Sequence, residues 1–185
     1  IVKKLLQKKQ RIGSGATSSV YKVKNIFTGE GLLAVKMIND SFFDLMKQET
    51  TSKKDDVWND DDDFDDDEEE KSIPMDQIRK VYQEWEVLSQ LNHPNIIKTF
   101  GFYQGDKSNP PLIVLEYCTF NLQSAIKHLE DIDLVRIVYE ICSAMQYIHK
   151  NKIIHRDLKV ANILINSQKK VKICDFGISR FIDIS

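Results

Sequence analysis

The 185-residue sequence predicts an α+β fold in two parts, on three observations. Short apolar runs broken by turn residues fill the region up to Ile38. Apolar residues recur at helical spacing from Ile78 to Leu91 and again from Leu134 to Ile148. Five antiparallel strands with one helix come first, and a mainly helical part with a small hairpin follows. No internal repeat interrupts this order.

Residues 5 to 38 read as strands, with Arg11-Ile12 leading into Gly13-Ser14-Gly15, a second strand over Val20 to Lys24, a turn at Thr28-Gly29-Glu30-Gly31, and a third strand over Leu32 to Ile38. From Asp40 to Ser72 the periodicity disappears, and this stretch reads as a disordered loop. Within it, residues 55 to 70 hold twelve acids and no Lys or Arg. A solvated excursion, a clamp on the rest of the chain and a site for a basic partner all stay open for this insert.

Ile78, Val81, Trp85, Leu88 and Leu91 then define a helix that Asn92-His93-Pro94-Asn95 ends, because proline cannot continue it. Strands are expected over Ile96 to Tyr103 and Leu112 to Tyr117. A long helix over residues 133 to 150 places Leu134, Ile137, Val138, Ile141, Met145 and Ile148 on one face. A hairpin joins Ile163-Leu164-Ile165 to Val171-Lys172-Ile173.

Composition narrows the class. The chain is 42% apolar, 29% charged and carries a net charge of −2, which excludes collagen-like, coiled-coil and wholly disordered chains. Twelve of the 28 acids sit in the insert, leaving 16 against 26 Lys and Arg elsewhere, so the body is basic. Cys118, Cys142 and Cys174 are scattered, against a disulfide framework or a zinc site. No apolar run approaches the roughly 20 residues of a membrane span. A soluble, reducing, intracellular setting, cytoplasmic or nuclear, is expected. The first residue is Ile1, not Met, which reads as a piece of a longer product.

Three groups of residues carry chemistry. Gly13-Ser14-Gly15-Ala16-Thr17-Ser18-Ser19-Val20 lies between two strands, where glycines let backbone N–H groups approach a phosphate; a plain hairpin turn accounts for it equally well. Lys36, among apolar neighbours in Leu33-Ala34-Val35-Lys36, needs a carboxylate partner. Of Glu84 and Glu86, 200° apart on the helix, only Glu84 lies on the apolar stripe, and a purely structural ion pair is one reading of that match. The third group is His155-Arg156-Asp157-Leu158-Lys159-Val160-Ala161-Asn162, followed thirteen residues past Asn162 by Asp175-Phe176-Gly177. Two carboxylates and an amide around a hairpin can hold a divalent metal and leave one Asp to meet a hydroxyl proton.

At these residues, and in this order, the chain resembles the eukaryotic protein kinase family over all but the acidic insert. The resemblance implies a two-lobe protein-kinase-like fold, with a five-stranded N-lobe over residues 1–117 and a partial, mainly helical C-lobe over 118–185. It implies ATP and Mg²⁺ as cofactors. The glycine loop, Gly13 to Val20, would cover the ATP phosphates, and Lys36, aligned by Glu84, would hold two of them. Ile12, Val20, Ala34 and Leu164 would wall the adenine, Leu115 would be the gatekeeper, and the backbone of Glu116 and Cys118 would meet the base. Asp157 would be the catalytic base, Lys159 would neutralise the transferring phosphate, and Asn162 and Asp175 would bind Mg²⁺. Arg156 would pair with a phosphorylated activation loop.

Lys159, two residues after Asp157, resembles the serine/threonine class, and CDFGISR leans toward its tyrosine-kinase-like group. Protein substrates carrying Ser or Thr are implied, and neither nucleic acid nor membrane is expected as a partner. Three features depart from the pattern. Ser18 replaces the third glycine. Thr99 stands where the family places a bulky apolar residue in its regulatory spine. The sequence ends eight residues after Gly177, so the 133–150 helix is expected to lack part of its packing, at a cost of roughly 10 kcal/mol, and the chain alone is expected to be marginal and inactive. A kinase-like scaffold that holds ATP without transferring it remains the alternative. Cys174 reads as a small apolar filler that a thiol-reactive ligand could reach from the ATP site.

Overall fold

The computed structural model describes residues 2–15, 18–39, 43–44, 73–106, 108–128 and 130–182. The expected disordered loop at 40–72 lies outside these residues apart from Phe43 and Asp44, which are helical.

A five-stranded antiparallel sheet forms the first part. It consists of β1 (Gln10–Ser14), β2 (Ser18–Lys24), β3 (Leu32–Ile38), β4 (Thr99–Tyr103) and β5 (Leu112–Glu116), in the order β1-β2-β3-β5-β4. β3 lies at the centre and reads LLAVKMI, an almost unbroken apolar run, because both of its faces are covered. On one face Leu33, Val35 and Met37 pack with Val23, Leu112 and Val114 beneath α1 (Val2–Leu6), whose Leu5 is buried. The expectation of a strand from residue 5 is therefore corrected: Leu5 and Leu6 belong to a helix, whose single turn is too short to reveal a period.

On the other face Ala34, Ile38, Ile113 and Leu115 pack against α2 (Ile73–Gln90) through Val81, Val87 and Leu88. Trp85 stacks on Phe102 with centroids 4.8 Å apart, and Tyr82 meets the same ring edge-on at 4.9 Å. The loop before β5 closes tightly. Gly105 has φ +89°, and a Cβ there would lie 2.9 Å from the Pro111 nitrogen, so both conformation and space require glycine.

The second part holds the short β6 (Phe120–Asn121) and α3 (Leu122–Ala125), capped by Asn121, whose Oδ1 accepts from the Ser124 amide at 2.8 Å. The long helix α4 (Asp131–Lys150) follows, then β7 (Ile153–Ile154), the expected hairpin β8 (Ile163–Ile165) and β9 (Val171–Ile173), and β10 (Arg180–Phe181), which pairs with β7. The α4 stripe is narrower than its spacing implied. Ile137, Ala144 and Ile148 are buried, but Val138 is 58% exposed, a full 100° round from Ile137, alongside the exposed Ile132, Val135 and Tyr139.

The strand expected from Ile96 begins only at Thr99. Ile96 instead makes a lone parallel bridge to Ile173, with Ile97 N donating to Ile173 O at 2.9 Å and Ile173 N to Asn95 O at 2.8 Å. These bonds join the two parts of the molecule directly. Among the described residues no helix is long and apolar enough to cross a membrane.

Candidate active site

Lys36 and Val20 are directly opposed across β3 and β2, and Lys36 and Ile113 across β3 and β5, so all three side chains share the α2 face of the sheet. Glu84 lies on the same stripe of α2 as Val81 and Leu88 and is only 2% exposed, while Glu86 is exposed. The Lys36 ammonium donates to Glu84 Oε2 at 2.6 Å and to Asp175 Oδ1 at 2.9 Å. Burial opposes the Lys36 charge, but the two carboxylates outweigh it and raise the ammonium above its ordinary value. Burial also pushes the Glu84 carboxyl up, against the pull of Lys36. At neutral pH the ion pair prevails, because Lys36 has two carboxylates within 2.9 Å.

The loop after β7 is built around a buried histidine. His155 Nε2 donates to Cys174 O at 3.0 Å, its Nδ1 accepts from the Asp157 amide at 3.2 Å, and its ring meets Phe176 edge-on at 4.7 Å. Burial lowers its pKa, which keeps the imidazole in the neutral form these bonds require. Phe176 is fully buried, so the loop holding Asp157 and the loop holding Asp175 are locked together through one ring pair. Arg156 and Asp175 both have φ +66°, conformations an L-residue adopts only where its surroundings enforce them. Arg156 Nε donates to Ile178 O.

Lys159 Nζ reaches both Asp157 oxygens, at 3.0 and 2.8 Å, and Asn162 Nδ2 donates to Asp157 O at 2.9 Å and to Asp157 Oδ2 at 2.8 Å. The Lys159 bond, with support from Asn162, holds the Asp157 carboxyl below its ordinary value. Its carboxylate is therefore ionised across neutral pH and pinned in orientation.

The remaining expected residues fall around this core unequally. Val20, Ala34, Leu115, Cys118, Leu164 and Cys174 join one apolar cluster, whereas Ile12 stands 45% exposed outside it, at an irregularity in the β1–β2 ladder. Gly13 pairs with Val20, Ser14 with Ser19, and Gly15 N donates to Ser18 O at 2.8 Å; Ala16 and Thr17 lie outside the described residues. A Cβ at Gly13 or at Gly15 would meet its nearest neighbour at an ordinary 3.6 Å, so the hairpin itself does not demand glycine at either position. The Glu116 amide is taken by Lys98 O at 2.9 Å, and the Cys118 amide has no hydrogen-bond partner among the described residues.

Thr99 Oγ1 donates to Val114 O at 3.3 Å. Cys174 Sγ donates to Asn162 O at 3.3 Å, its side chain packs against the core, and burial raises its thiol, in keeping with the small apolar filler expected from the sequence.

Sequence reasoning missed three contacts. One is Lys36 to Asp175. Another is Lys172 Nζ to Glu116 Oε1 at 2.8 Å, joining β9 to the end of β5. The third centres on Glu140, whose carboxylate accepts from the Val171 amide at 2.8 Å, from Asn95 Nδ2 at 3.1 Å and from Lys170 and Arg136. Glu140 falls between Ile137 and Ala144 on the α4 stripe, so the reasoning that singled out Glu84 applies to it unchanged.

Among known proteins, a sequence model of the protein kinase domain matches residues 65–185, 121 of the 185 residues. The chain belongs to the protein kinase family. It is 37% identical over 119 residues to the tyrosine-protein kinase receptor svh-2 of Caenorhabditis elegans, covering 62% of this chain and 11% of that protein. It is 38% identical over 118 residues to the serine/threonine-protein kinase RUNKEL of Arabidopsis thaliana, covering 61% and 8%. Across 93% of the chain it is 30% identical, over 176 residues, to mitogen-activated protein kinase 15 of Xenopus laevis, of which it covers 25%. The chain thus spans between 8% and 25% of the length of these three relatives.

Proposed function

We propose that this chain carries the catalytic centre of an ATP-dependent protein serine/threonine kinase. The observation that carries the reading is the Asp157–Lys159–Asn162 cluster, fastened through the His155–Phe176 ring pair to a loop whose Asp175 meets Lys36 and Glu84. In this reading the substrate hydroxyl oxygen attacks the γ-phosphorus, the bond to the β–γ bridging oxygen breaks, ADP leaves, and the hydroxyl proton passes to Asp157. Lys159 balances charge on the transferring group. Lys36 holds two ATP phosphates, with Glu84 fixing its position.

The glycines of the β1–β2 turn, not required by the turn, leave room for phosphate oxygens beneath the backbone. The Cys118 amide is open to donate to an adenine nitrogen, and Val20, Ala34, Leu115 and Leu164 form the apolar walls. The lysine at position 159 favours hydroxyls of Ser and Thr over Tyr.

The family's Mg²⁺ suits the donors present. Asp175 and the Asn162 side-chain oxygen are hard oxygen ligands, and Mg²⁺ is ordinarily held by one or two protein oxygens together with phosphates and water. The cation would supply charge neutralisation between the β- and γ-phosphates. Among the described residues no three His, Cys, Asp or Glu side chains gather to hold a metal, so the phosphates would complete its shell.

The test is phosphotransfer from labelled MgATP to a mixed protein substrate, with identification of the modified residue. Asp157→Asn should lower the rate by at least about a hundredfold. Phosphotyrosine as the product would overturn the serine/threonine assignment. A MgATP-dependent rise in melting temperature that needs Lys36, without any transfer, would identify a nucleotide-holding scaffold instead.

A further inference from the structure

Residues 1–29 contain seven Lys and Arg and no acid; the first acid is Glu30. Five of these bases, Lys3, Lys4, Lys8, Lys9 and Arg11, lie on α1, on the segment leaving it and on β1, and all five are exposed. They flank one side of the sheet. Arg11 stands directly opposite Tyr21, and Lys9 Nζ lies 4.4 Å from the centre of the same ring. Tyr21 packs with the cluster that holds Leu5 of α1. None of the five has an ion pair among the described residues. The nearby acid, Asp106, shares a pocket with Lys3 but is engaged by Tyr103, Ser108 and Asn109. This edge is a concentrated positive surface with no ion-paired counter-charge among the described residues.

The same chain carries the opposite charge in residues 55–70: twelve acids and no base, with Trp58 and Phe64 among them. Those residues lie outside the described ones, but their point of attachment is defined. The chain leaves β3 at Asn39, whose Oδ1 accepts from Ser19 Oγ at 2.7 Å and whose Nδ2 donates to Gly15 O at 3.3 Å. Asn39 is therefore fastened to the β1–β2 turn. Arg11 lies three residues back along β1 from Ser14, about 10 Å. The fifteen residues between Asn39 and Asp55 can span up to about 50 Å. A tether of that length sets an effective concentration of order millimolar, so even a weak electrostatic site is occupied by the chain's own acids ahead of dilute competitors.

We propose that the acidic run, residues 55–70, docks on the basic surface formed by Lys3, Lys4, Lys8, Lys9 and Arg11 of the same chain. Charge complementarity and the position of Asn39 favour this occupant over a second copy or an anionic membrane.

The experiment is zero-length carbodiimide cross-linking of the full 185-residue chain, read by peptide mass spectrometry, together with acetylation rates of the individual lysines. Cross-links should run from residues 55–70 to Lys3, Lys4, Lys8 and Lys9 within monomers, and should vanish in 1 M salt, where screening acts within about 3 Å. Changing Asp60, Asp61, Asp62, Asp63, Asp65, Asp66 and Asp67 to Asn should speed acetylation of those four lysines by about threefold or more, with Lys150, Lys152 and Lys169 unchanged. Four outcomes would overturn the proposal. They are cross-links spread evenly over all lysines, cross-links found only in dimers, acetylation rates that ignore the Asn changes, and equal sedimentation of the native and Asn-substituted chains with phosphatidylserine vesicles. The last would assign the surface to lipid.

Discussion

Two buried glutamates, Glu84 and Glu140, stand on the inward stripes of the molecule's two long helices, 2% and 5% exposed, and their surroundings treat them in opposite ways. Glu84 is held mainly by one flexible ammonium that it shares with Asp175, with a smaller contribution from the Phe176 backbone, and burial drives its pKa up. Burial also pushes Glu140 up, but the Val171 amide, Lys170 and Arg136 together hold it below its ordinary value. A backbone amide cannot swing away; a lysine side chain can. The first arrangement suits a contact that must align with a ligand, the second a joint that must not move. Glu140 also grips Asn95, whose carbonyl accepts from Ile173 N, so the joint lies where the sheet part meets the hairpin part.

Breaking each glutamate should separate the two roles. The largest effect is expected at the corner proposed to be catalytic: Glu84→Gln should lower phosphotransfer by about a hundredfold or more, about 3 kcal/mol in the barrier, while the melting temperature moves little because Lys36 keeps Asp175. A loss of stability matching the loss of activity would mean that Glu84 is only a structural residue. Next, Glu140→Gln should destabilise the chain by about 2–3 kcal/mol, since it strips the charge from a buried, multiply bonded group. The denaturant midpoint should fall with an unchanged slope, and activity per folded molecule should persist.

Acid titration sharpens the contrast. Glu84, raised above its ordinary value, protonates first as the pH falls, which weakens the grip on Lys36. Glu140, held below its ordinary value, contributes stability that is present above about pH 4.3 and lost only as the pH falls through its folded value. Activity should therefore decline before the circular-dichroism signal does. Cooperative unfolding that precedes the loss of activity would contradict the assignment. The smallest effect belongs to exposed Glu86, where Glu86→Gln should change stability by less than about 0.5 kcal/mol and leave activity untouched.

Much of this was legible in the residues. The α2 stripe, the choice of Glu84 over Glu86 and the β8–β9 hairpin follow from side-chain periods of 3.6 and 2, which are local properties. The Lys36–Glu84 contact followed from a single energetic requirement, that a lysine among apolar neighbours needs a carboxylate. The short elements were not legible: α1, β6 and β7 are too brief to display a period. The exposure of Val138 depends on how far neighbouring elements wrap round α4, which spacing along the helix cannot convey.

The sequence by itself determined the longer elements, their order, and the candidates for chemistry: Lys36, Glu84, Asp157, Lys159, Asn162 and Asp175. Their convergence was decided only by tertiary structure. His155 and Phe176 lie 21 positions apart in the chain, yet their rings meet at 4.7 Å, and the φ of +66° at Arg156 and Asp175 is imposed by the bonds around each residue. The reason is physical. A period or a propensity is summed over neighbours in sequence, whereas the desolvation that makes a buried charge seek its partner acts across space and takes effect only once the core has closed around it.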